Sequence, residues 1–290
     1  MRRGLRLLAL LALALGAFWL TEIGLLGSTA GRGTALNTRA DLEIDYLLSP
    51  ASVRALGGPL GEDFDVTGAS VAIVSAGDRL YAVDRSSASE IPLKGVAPSS
   101  FAVDTNDTLL TISGGYLGLL DEHNDALHAI PLQSLADARL ARSSNPGTFF
   151  VFGGAAGSYR LYRFRDDGTL EILLDLPERI VAVTDTSSTI YVATAAHILR
   201  LDANGPVLLF KAPAGWTPIV SLSVPASGRP VFFSTDTKVF VLLSGGAVSI
   251  INDSGGTLRL RGDTMYVLDR RRLLLYAAHP VSEELLKVKG

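Results

Sequence analysis

Short apolar segments separated by turn residues fill most of the chain from residue 63 onward. The stretch Ile180–Pro213 shows this pattern most clearly, because four apolar runs alternate there with Asp, Thr, Ser, Asn and Gly. Each run has the length of a strand and is too short for a helix. The pair Asn204-Gly205 favours a type I′ hairpin, because both residue types tolerate positive φ. The stretch therefore predicts a unit of four strands.

Units of the same kind recur along the chain at a regular spacing. Asp63–Gly95 aligns with Ser100–Leu132 so that Phe64 falls on Phe101, 37 residues later. The second strands of the units are predicted to begin near Val71, Thr108, Thr148, Thr189, Pro230 and Thr264. Spacings of 34–41 residues between these starts are typical of four-stranded propeller blades. We therefore predict an all-β fold, a six-bladed β-propeller of four-stranded blades.

The second and third strands of the units favour a ring over a two-sheet sandwich. Thr148–Phe152 and Val239–Leu243 are apolar on both faces. A strand that is buried on both faces needs a neighbouring sheet on each side, and a ring of blades supplies one. A sandwich leaves one face of each sheet exposed and would show cleaner polar alternation.

The way in which the ring closes has two interpretations. Leu273–Gly290 aligns with Ile198–Gly215, which predicts that the last blade carries its own fourth strand. Alternatively, the apolar segment Leu42–Leu48 near the other end of the chain supplies that strand. We divide the chain into residues 1–30, a linker with a ring-flanking or closing segment over residues 31–62, and the propeller over residues 63–290.

The first 30 residues have the pattern of an export signal. Three arginines in Met1–Arg6 precede Leu7–Leu20, a run of fourteen residues without a polar side chain. Small residues in Ser28–Ala30 offer a cleavage site after Ala30. The alternative is an uncleaved membrane anchor that extends to Leu26 and contains Glu22. Both interpretations predict a periplasmic or extracellular propeller, either secreted or tethered by an N-terminal anchor helix, because the arginines keep the N-terminus cytoplasmic.

Composition and charge narrow the classes of partner. Hydrophobic residues make up 48% of the chain, which is enough for a large core, and the formal net charge is −3. The first 30 residues carry three arginines and one glutamate, so the remainder has a formal net charge of −5. This balance predicts no nucleic-acid partner and membrane contact only through the N-terminal segment. The chain contains no cysteine, which excludes disulfides and thiolate chemistry.

One face of the predicted ring collects the candidate binding residues. In a propeller, the turns between the second and third strands lie on the same face as the connections between blades. We assign to this face Ser75–Asp78, Gly114–Tyr116, Gly153–Ser158, Thr194–His197, Thr235–Thr237 and Asp269–Arg272. Short loops that meet above a channel form a plausible pocket. The predicted ligand-binding residues are Asp78, Tyr116, His197, Asp236, Arg270 and Arg271.

The search for catalytic motifs gives no positive result. The chain has no GxSxG elbow, no HExxH helix and no phosphate-binding loop, and its four histidines are scattered over different turns. The acidic and histidine-containing stretch Asp121–His128 is interpreted as a solvated turn. Asp104–Asp107 resembles the start of a calcium loop but lacks its glycine and distant glutamate. We therefore predict no catalytic residue, no metal ligand and no cofactor.

The fourth unit, with its AVTD strand, turn, LRLD strand and Asn-Gly pair, resembles the bacterial NHL, YVTN and TolB-like propellers. The resemblance covers residues 63–290. It implies a binding scaffold, an envelope assembly factor or a lactonase-type hydrolase, because fold does not determine function in this group.

We carry two hypotheses on function. The first is an exported, non-catalytic propeller, a monomer that binds a protein or glycan partner or another ligand. The alternative is a metal-dependent lactonase or esterase in which Glu, Asn and Asp residues from separate blades meet at the channel mouth.

Overall fold

The computed structural model describes residues 42–93, 98–120, 126–132, 135–155, 157–244, 246–279 and 281, and for residues 126–129 the backbone alone. Within these residues, 24 strands form six antiparallel sheets of four strands each. The prediction of an all-β, six-bladed propeller is confirmed. The predicted signal or anchor helix of residues 1–30 lies outside the described residues.

Each blade is an antiparallel sheet whose first strand lies next to the first strands of the neighbouring blades, around a central channel. Blade 1 contains β2 (Leu60–Val66), β3 (Ala72–Ala76), β4 (Arg79–Val83) and β5 (Ala88–Ile91). Blade 2 contains β6 (Ser100–Val103), β7 (Leu109–Ser113), β8 (Tyr116–Leu120) and β9 (Ala126–Pro131). Blade 3 contains β10 (Arg139–Arg142), β11 (Thr148–Ala155), β12 (Ser158–Arg165) and β13 (Leu170–Leu176).

The second half of the ring repeats this arrangement. Blade 4 contains β14 (Ile180–Asp185), β15 (Ile190–Thr194), β16 (His197–Asp202) and β17 (Gly205–Lys211). Blade 5 contains β18 (Ser221–Ser223), β19 (Val231–Ser234), β20 (Val239–Leu242) and β21 (Val248–Asn252). Blade 6 contains β22 (Thr257–Arg261), β23 (Thr264–Asp269) and β24 (Leu274–His279). The second strand of every blade begins within one residue of its predicted start.

The ring closes with a strand from the other end of the chain. β1 (Glu43–Leu48) pairs antiparallel with β24 and fills the outer, fourth position of blade 6. The two open interpretations of closure are thus decided in favour of the Leu42–Leu48 segment. The helix α1 (Pro50–Ala55), capped by the Ser49 hydroxyl, leads from β1 into blade 1. No helix in the described part of the chain is long and apolar enough to cross a membrane.

The hydrophobic core is divided into six clusters among the described residues, one between each pair of neighbouring blades. Phe150, for example, faces blade 4 from β11, whereas Phe149, its neighbour on the same strand, faces blade 2. Because successive residues of a strand point to opposite faces, a central strand must be apolar at every position to serve two such clusters. The two-sided apolar runs in the sequence have this physical origin.

The structure corrects the predicted turn at Asn204-Gly205. Asp202 pairs with Gly205, so the two residues at the tip of the hairpin are Ala203 and Asn204. Gly205 has φ +112°, whereas Asn204 does not have positive φ, so the turn is not type I′. The single left-handed position follows the turn and is taken by glycine, which adopts it without strain. The sequence signal located the hairpin correctly and placed its tip one residue too far along the chain.

Candidate functional site

A cavity of about 730 Å³ lies where the innermost strands meet the turns of one face of the ring. All six turns predicted to lie on that face do join the second and third strands of their blades. Residues from blades 1, 3, 4, 5 and 6 line the cavity. The lining residues include Glu62, Arg139, Arg179, Asp236, Arg270 and Arg271, together with Leu60, Ile180, Ile219 and Leu268.

Four arginines reach this cavity from blades 3 and 6 and from the connection between blades 3 and 4. Arg139 is the first residue of β10, the innermost strand of blade 3. Arg179 lies directly before β14, in the connection from blade 3 to blade 4. Arg270 and Arg271 follow β23 in the turn that leads to β24. The cavity is therefore cationic although the whole chain is acidic.

Glu62 bridges two of these arginines across the mouth of the channel. Its Oε1 lies 3.1 Å from Arg270 Nη1, and its Oε2 accepts a hydrogen bond from Arg139 Nη2. The two arginines belong to blades 6 and 3, and Glu62 belongs to blade 1. The Glu62 side chain is 55% exposed, whereas that of Arg139 is only 28% exposed. The carboxylate thus sits on the solvent side of a partly buried guanidinium group.

The surroundings of Arg139 disfavour its own positive charge. Burial lowers the pKa of Arg139, and the charges of Arg179, Arg259 and Arg270 lower it further. Repulsion from the three neighbouring arginines thus adds to the larger effect of burial. An additional anion near Arg139 would relieve this repulsion.

Bare backbone forms the cavity wall beside Asp236. A Cβ atom at Gly255 would lie 2.1 Å from the carbonyl oxygen of Thr235, so no side chain fits at this position. The next residue, Gly256, donates a hydrogen bond of 2.8 Å from its N–H to the same carbonyl. This close approach joins the connection between blades 5 and 6 to the turn that carries Asp236.

A second group of arginines lies deeper along the innermost strands and is already satisfied. Arg261 Nε donates to the carbonyl of Val66 at 2.6 Å, and Arg142 donates to the carbonyls of Val66 and Leu260. Arg259 and Arg142 lie 3.8 Å and 3.9 Å from the buried carboxylate of Asp65. Burial lowers the pKa of Arg142 to about 10. These side chains tie blades 1, 3 and 6 together beneath the cavity.

The six predicted ligand-binding residues fall into two groups. Asp236, Arg270 and Arg271 line the cavity. Asp78, Tyr116 and His197 lie on the same face of the ring but do not line it. Asp78 is almost fully exposed near Arg79, and Tyr116 is half-exposed at the start of β8.

His197 belongs to a separate polar contact on this face. Its Nδ1 lies 2.9 Å from Glu178 Oε2, and the Thr194 hydroxyl donates to the same oxygen at 2.8 Å. The hydrogen bond with His197 is the main cause that holds the pKa of Glu178 below its usual value. The contact links the connection before blade 4 to the turn between β15 and β16.

Two further features lie away from the cavity. Trp216 stacks on Phe240 with ring centroids 5.1 Å apart and is 38% exposed, so it packs between blades 4 and 5. In the stretch Asp121–His128, residues 121–125 and the His128 side chain lie outside the described part of the structure. Among the described residues, no group of three or more His, Asp or Glu side chains is placed to hold a metal ion.

Sequence reasoning missed Glu62, Arg139 and Arg179 as site residues. The candidate set was drawn only from turns between second and third strands, whereas these residues lie on innermost strands or on a connection between blades. The connections were expected on the same face, so a search that included them would have found Arg179. Glu62 and Arg270 are 208 residues apart in the sequence and come together only because the ring closes.

Comparisons with known proteins show what the fold resembles. No protein-family model and no curated protein sequence matches the chain. A gluconolactonase from Xanthomonas campestris is similar in structure with a TM-score of 0.63 and 14% identity, covering 84% of this chain and 91% of that one. Virginiamycin B lyase from Staphylococcus aureus has a TM-score of 0.55 and 11% identity, covering 74% and 78%. At these identities the likeness shows the fold alone, which is that of a β-propeller.

Proposed function

We propose that this protein is an exported, non-catalytic β-propeller that acts as a binding scaffold in the cell envelope and holds an anionic ligand in its channel mouth. The observation that carries the proposal is the arginine-lined cavity. Four arginines and two carboxylates line it, so its formal charge is +2 in a chain of formal net charge −3. Arginine is the residue best suited to carboxylate or phosphate groups, because its planar fork donates two parallel hydrogen bonds.

The size and the walls of the cavity define the ligand further. A volume of about 730 Å³ falls within the range of small-molecule sites, which is about 300–1,000 Å³. Val181, Val220 and Leu273 line the cavity and are only half-buried, so they supply apolar surface beside the arginines. A ligand that combines an anionic group with an apolar body matches both features. Such a group belongs to a small molecule or to an exposed part of a protein or glycan partner.

Binding of simple aromatic probes to the purified full-length chain tests this proposal. Phenylacetate, its neutral amide phenylacetamide and the cation phenethylamine differ mainly in charge. We expect phenylacetate to bind about tenfold more tightly than either analogue. Arg139→Ala should weaken the binding of phenylacetate about tenfold, because it removes a charged hydrogen-bonding group. Isothermal titration calorimetry or ligand-detected NMR at low and high salt measures both effects, and salt should weaken binding.

Arg160→Ala is the matched control for this experiment. Arg160 lies on β12 of the same blade as Arg139 and pairs with Asp175 at 3.0 Å, but it does not line the cavity. Its replacement should leave the affinity for phenylacetate unchanged. Equal affinities for the anion, the amide and the amine, or an Arg139→Ala variant that binds like the wild type, would contradict the proposal.

The metal-dependent lactonase remains the alternative hypothesis for the same cavity. It requires carboxylates at the channel mouth that are available to a metal ion. Glu62 is instead engaged by Arg139 and Arg270, which favours the binding function. Metal-dependent hydrolysis of a simple γ-lactone that is lost in Glu62→Gln would favour the alternative.

Export rests on the sequence of the first 30 residues, which lie outside the described structure. Three arginines before an apolar run engage the export machinery and direct the following domain outward. A phosphatase that is active only outside the cytoplasm, fused after Gly290, should therefore be active. Replacing Leu8, Leu11 and Leu13 with Asp should trap it inside, since each charge costs about 2.5–3.5 kcal/mol of insertion free energy. An inactive wild-type fusion that is present at full length would overturn export.

A further inference from the structure

Glu62 occupies the position in the cavity that an anionic ligand would take. Its two carboxylate oxygens face two arginines that come from opposite parts of the ring, Arg139 of blade 3 and Arg270 of blade 6. These guanidinium groups are therefore already arranged around a carboxylate. The geometry defines the kind of anion that they accept, a planar group with two oxygens.

The hold of the protein on this carboxylate is loose enough for exchange. The Glu62 side chain is 55% exposed, and the Arg270 side chain is 47% exposed. The ion pair with Arg270 joins two exposed groups and is therefore weak, so mainly the pair with the partly buried Arg139 holds Glu62 in place. A carboxylate tethered in this way nevertheless competes at an effective concentration of about millimolar order.

The cations around Glu62 exceed what it can neutralise. Arg179 lies close enough to lower the pKa of Arg139, and its own partner, Asp137, is 3.6 Å away and largely exposed. Arg271 lines the same cavity. The cavity can therefore hold a second negative charge in addition to the carboxylate between Arg139 and Arg270, whether that carboxylate belongs to Glu62 or to a ligand.

We infer that Glu62 is a built-in competitor, and that the ligand is a small organic acid whose carboxylate replaces it between Arg139 and Arg270 while its apolar body lies on Val181 and Val220. This inference rests on the proposed function, since it identifies the chemical class of the anion that the cavity binds. It adds that Glu62 lowers the apparent affinity for the ligand, because only the molecules in which Glu62 has left the arginines can bind it.

Removal of the Glu62 carboxylate tests the inference with phenylacetate as the probe on the full-length chain. If Glu62 fills the site in about nine of ten molecules, Glu62→Gln should bind phenylacetate about tenfold more tightly than the wild type. Glu62→Ala, which also removes the side-chain hydrogen bonds, should show a gain of similar size. The double variant Glu62→Gln/Arg139→Ala should lose that gain.

Glu90→Gln provides the matched control, because it changes the net charge equally and lies on the same blade, whereas Glu90 pairs with Arg79 and does not line the cavity. A general charge effect would raise affinity to the same extent in both variants, whereas displacement of a competitor is specific to Glu62. We expect less than a threefold change for Glu90→Gln. Thermal melting of each variant establishes that its fold is intact.

The possible results separate this inference from the proposed function. If Arg139→Ala loses binding but Glu62→Gln and Glu62→Ala bind like the wild type, like Glu90→Gln or more weakly, the cavity binds anions and Glu62 is not a competitor. If neither the wild type nor any variant prefers phenylacetate over its amide, both proposals fail. Only a gain confined to the Glu62 variants and dependent on Arg139 supports the inference.

Discussion

Replacing Leu47 and Leu48 together with alanine should destabilise the protein by about 4–10 kcal/mol, because each buried Leu→Ala change costs about 2–5 kcal/mol. The two side chains are 5% and 2% exposed and pack in the cluster between blades 6 and 1. A bulge in β1 between Tyr46 and Leu48 lets consecutive leucines face the same core. A loss of this size approaches the whole stability of a typical domain, which is about 5–15 kcal/mol.

Chemical denaturation of the double variant measures this effect, and Glu43→Ala serves as its control. Glu43 lies on the same strand and pairs with His279, but its side chain is exposed, so its loss should change stability by at most about 0.5 kcal/mol. Wild-type stability of the double variant would mean that blade 6 holds together without β1. The chain beyond His279 would then have to supply the fourth strand, as the competing alignment predicted.

The blades could be predicted from sequence because their cause is local and repeated. Each central strand is apolar on both faces, so runs such as Phe149–Phe152 are visible without knowledge of their partners. The choice of the closing strand was not visible. Both candidate segments are apolar and of strand length, and the pairing of β1 with β24 joins residues more than 200 positions apart.

The cavity could be predicted only in part, for a related reason. Turns that follow second strands are identified by the repeat, and this placed Arg270, Arg271 and Asp236 on the correct face. The cationic character of the site depends on side chains that converge across the ring. Net charge conceals it, because acidic residues elsewhere outweigh the arginines in the sum.

Asp104→Ala should lower the stability of the ring by about 2–5 kcal/mol, although the substitution removes no apolar surface. Asp104 is 1% exposed and ends the innermost strand of blade 2. Its Oδ1 accepts hydrogen bonds of 2.8 Å from the N–H groups of Asn106 and Thr108. Its Oδ2 accepts one of 3.0 Å from the N–H of Gly147 in blade 3.

The expected loss follows from these three backbone donors, of which those of Thr108 and Gly147 belong to half-buried residues, since a donor left without a partner in the interior costs about 1–3 kcal/mol. The loss stays below three times this cost, because Asn106 is exposed and water can replace the carboxylate as the acceptor for its N–H. The same arrangement explains why Asp104–Asp107 resembles a calcium loop. Its first carboxylate points inward, but it binds N–H groups of its own turn and of the next blade.

Thermal and chemical denaturation of Asp104→Ala measure the loss, and Asp78→Ala is the control. Asp78 occupies a turn of blade 1 and its side chain is 89% exposed, so its replacement should change stability by at most about 0.5 kcal/mol. Calcium should not stabilise the wild type, because both carboxylate oxygens already accept hydrogen bonds from backbone N–H groups. An Asp104→Ala variant as stable as the wild type, or a wild type stabilised by calcium through Asp104, would show that this carboxylate does not join blades 2 and 3.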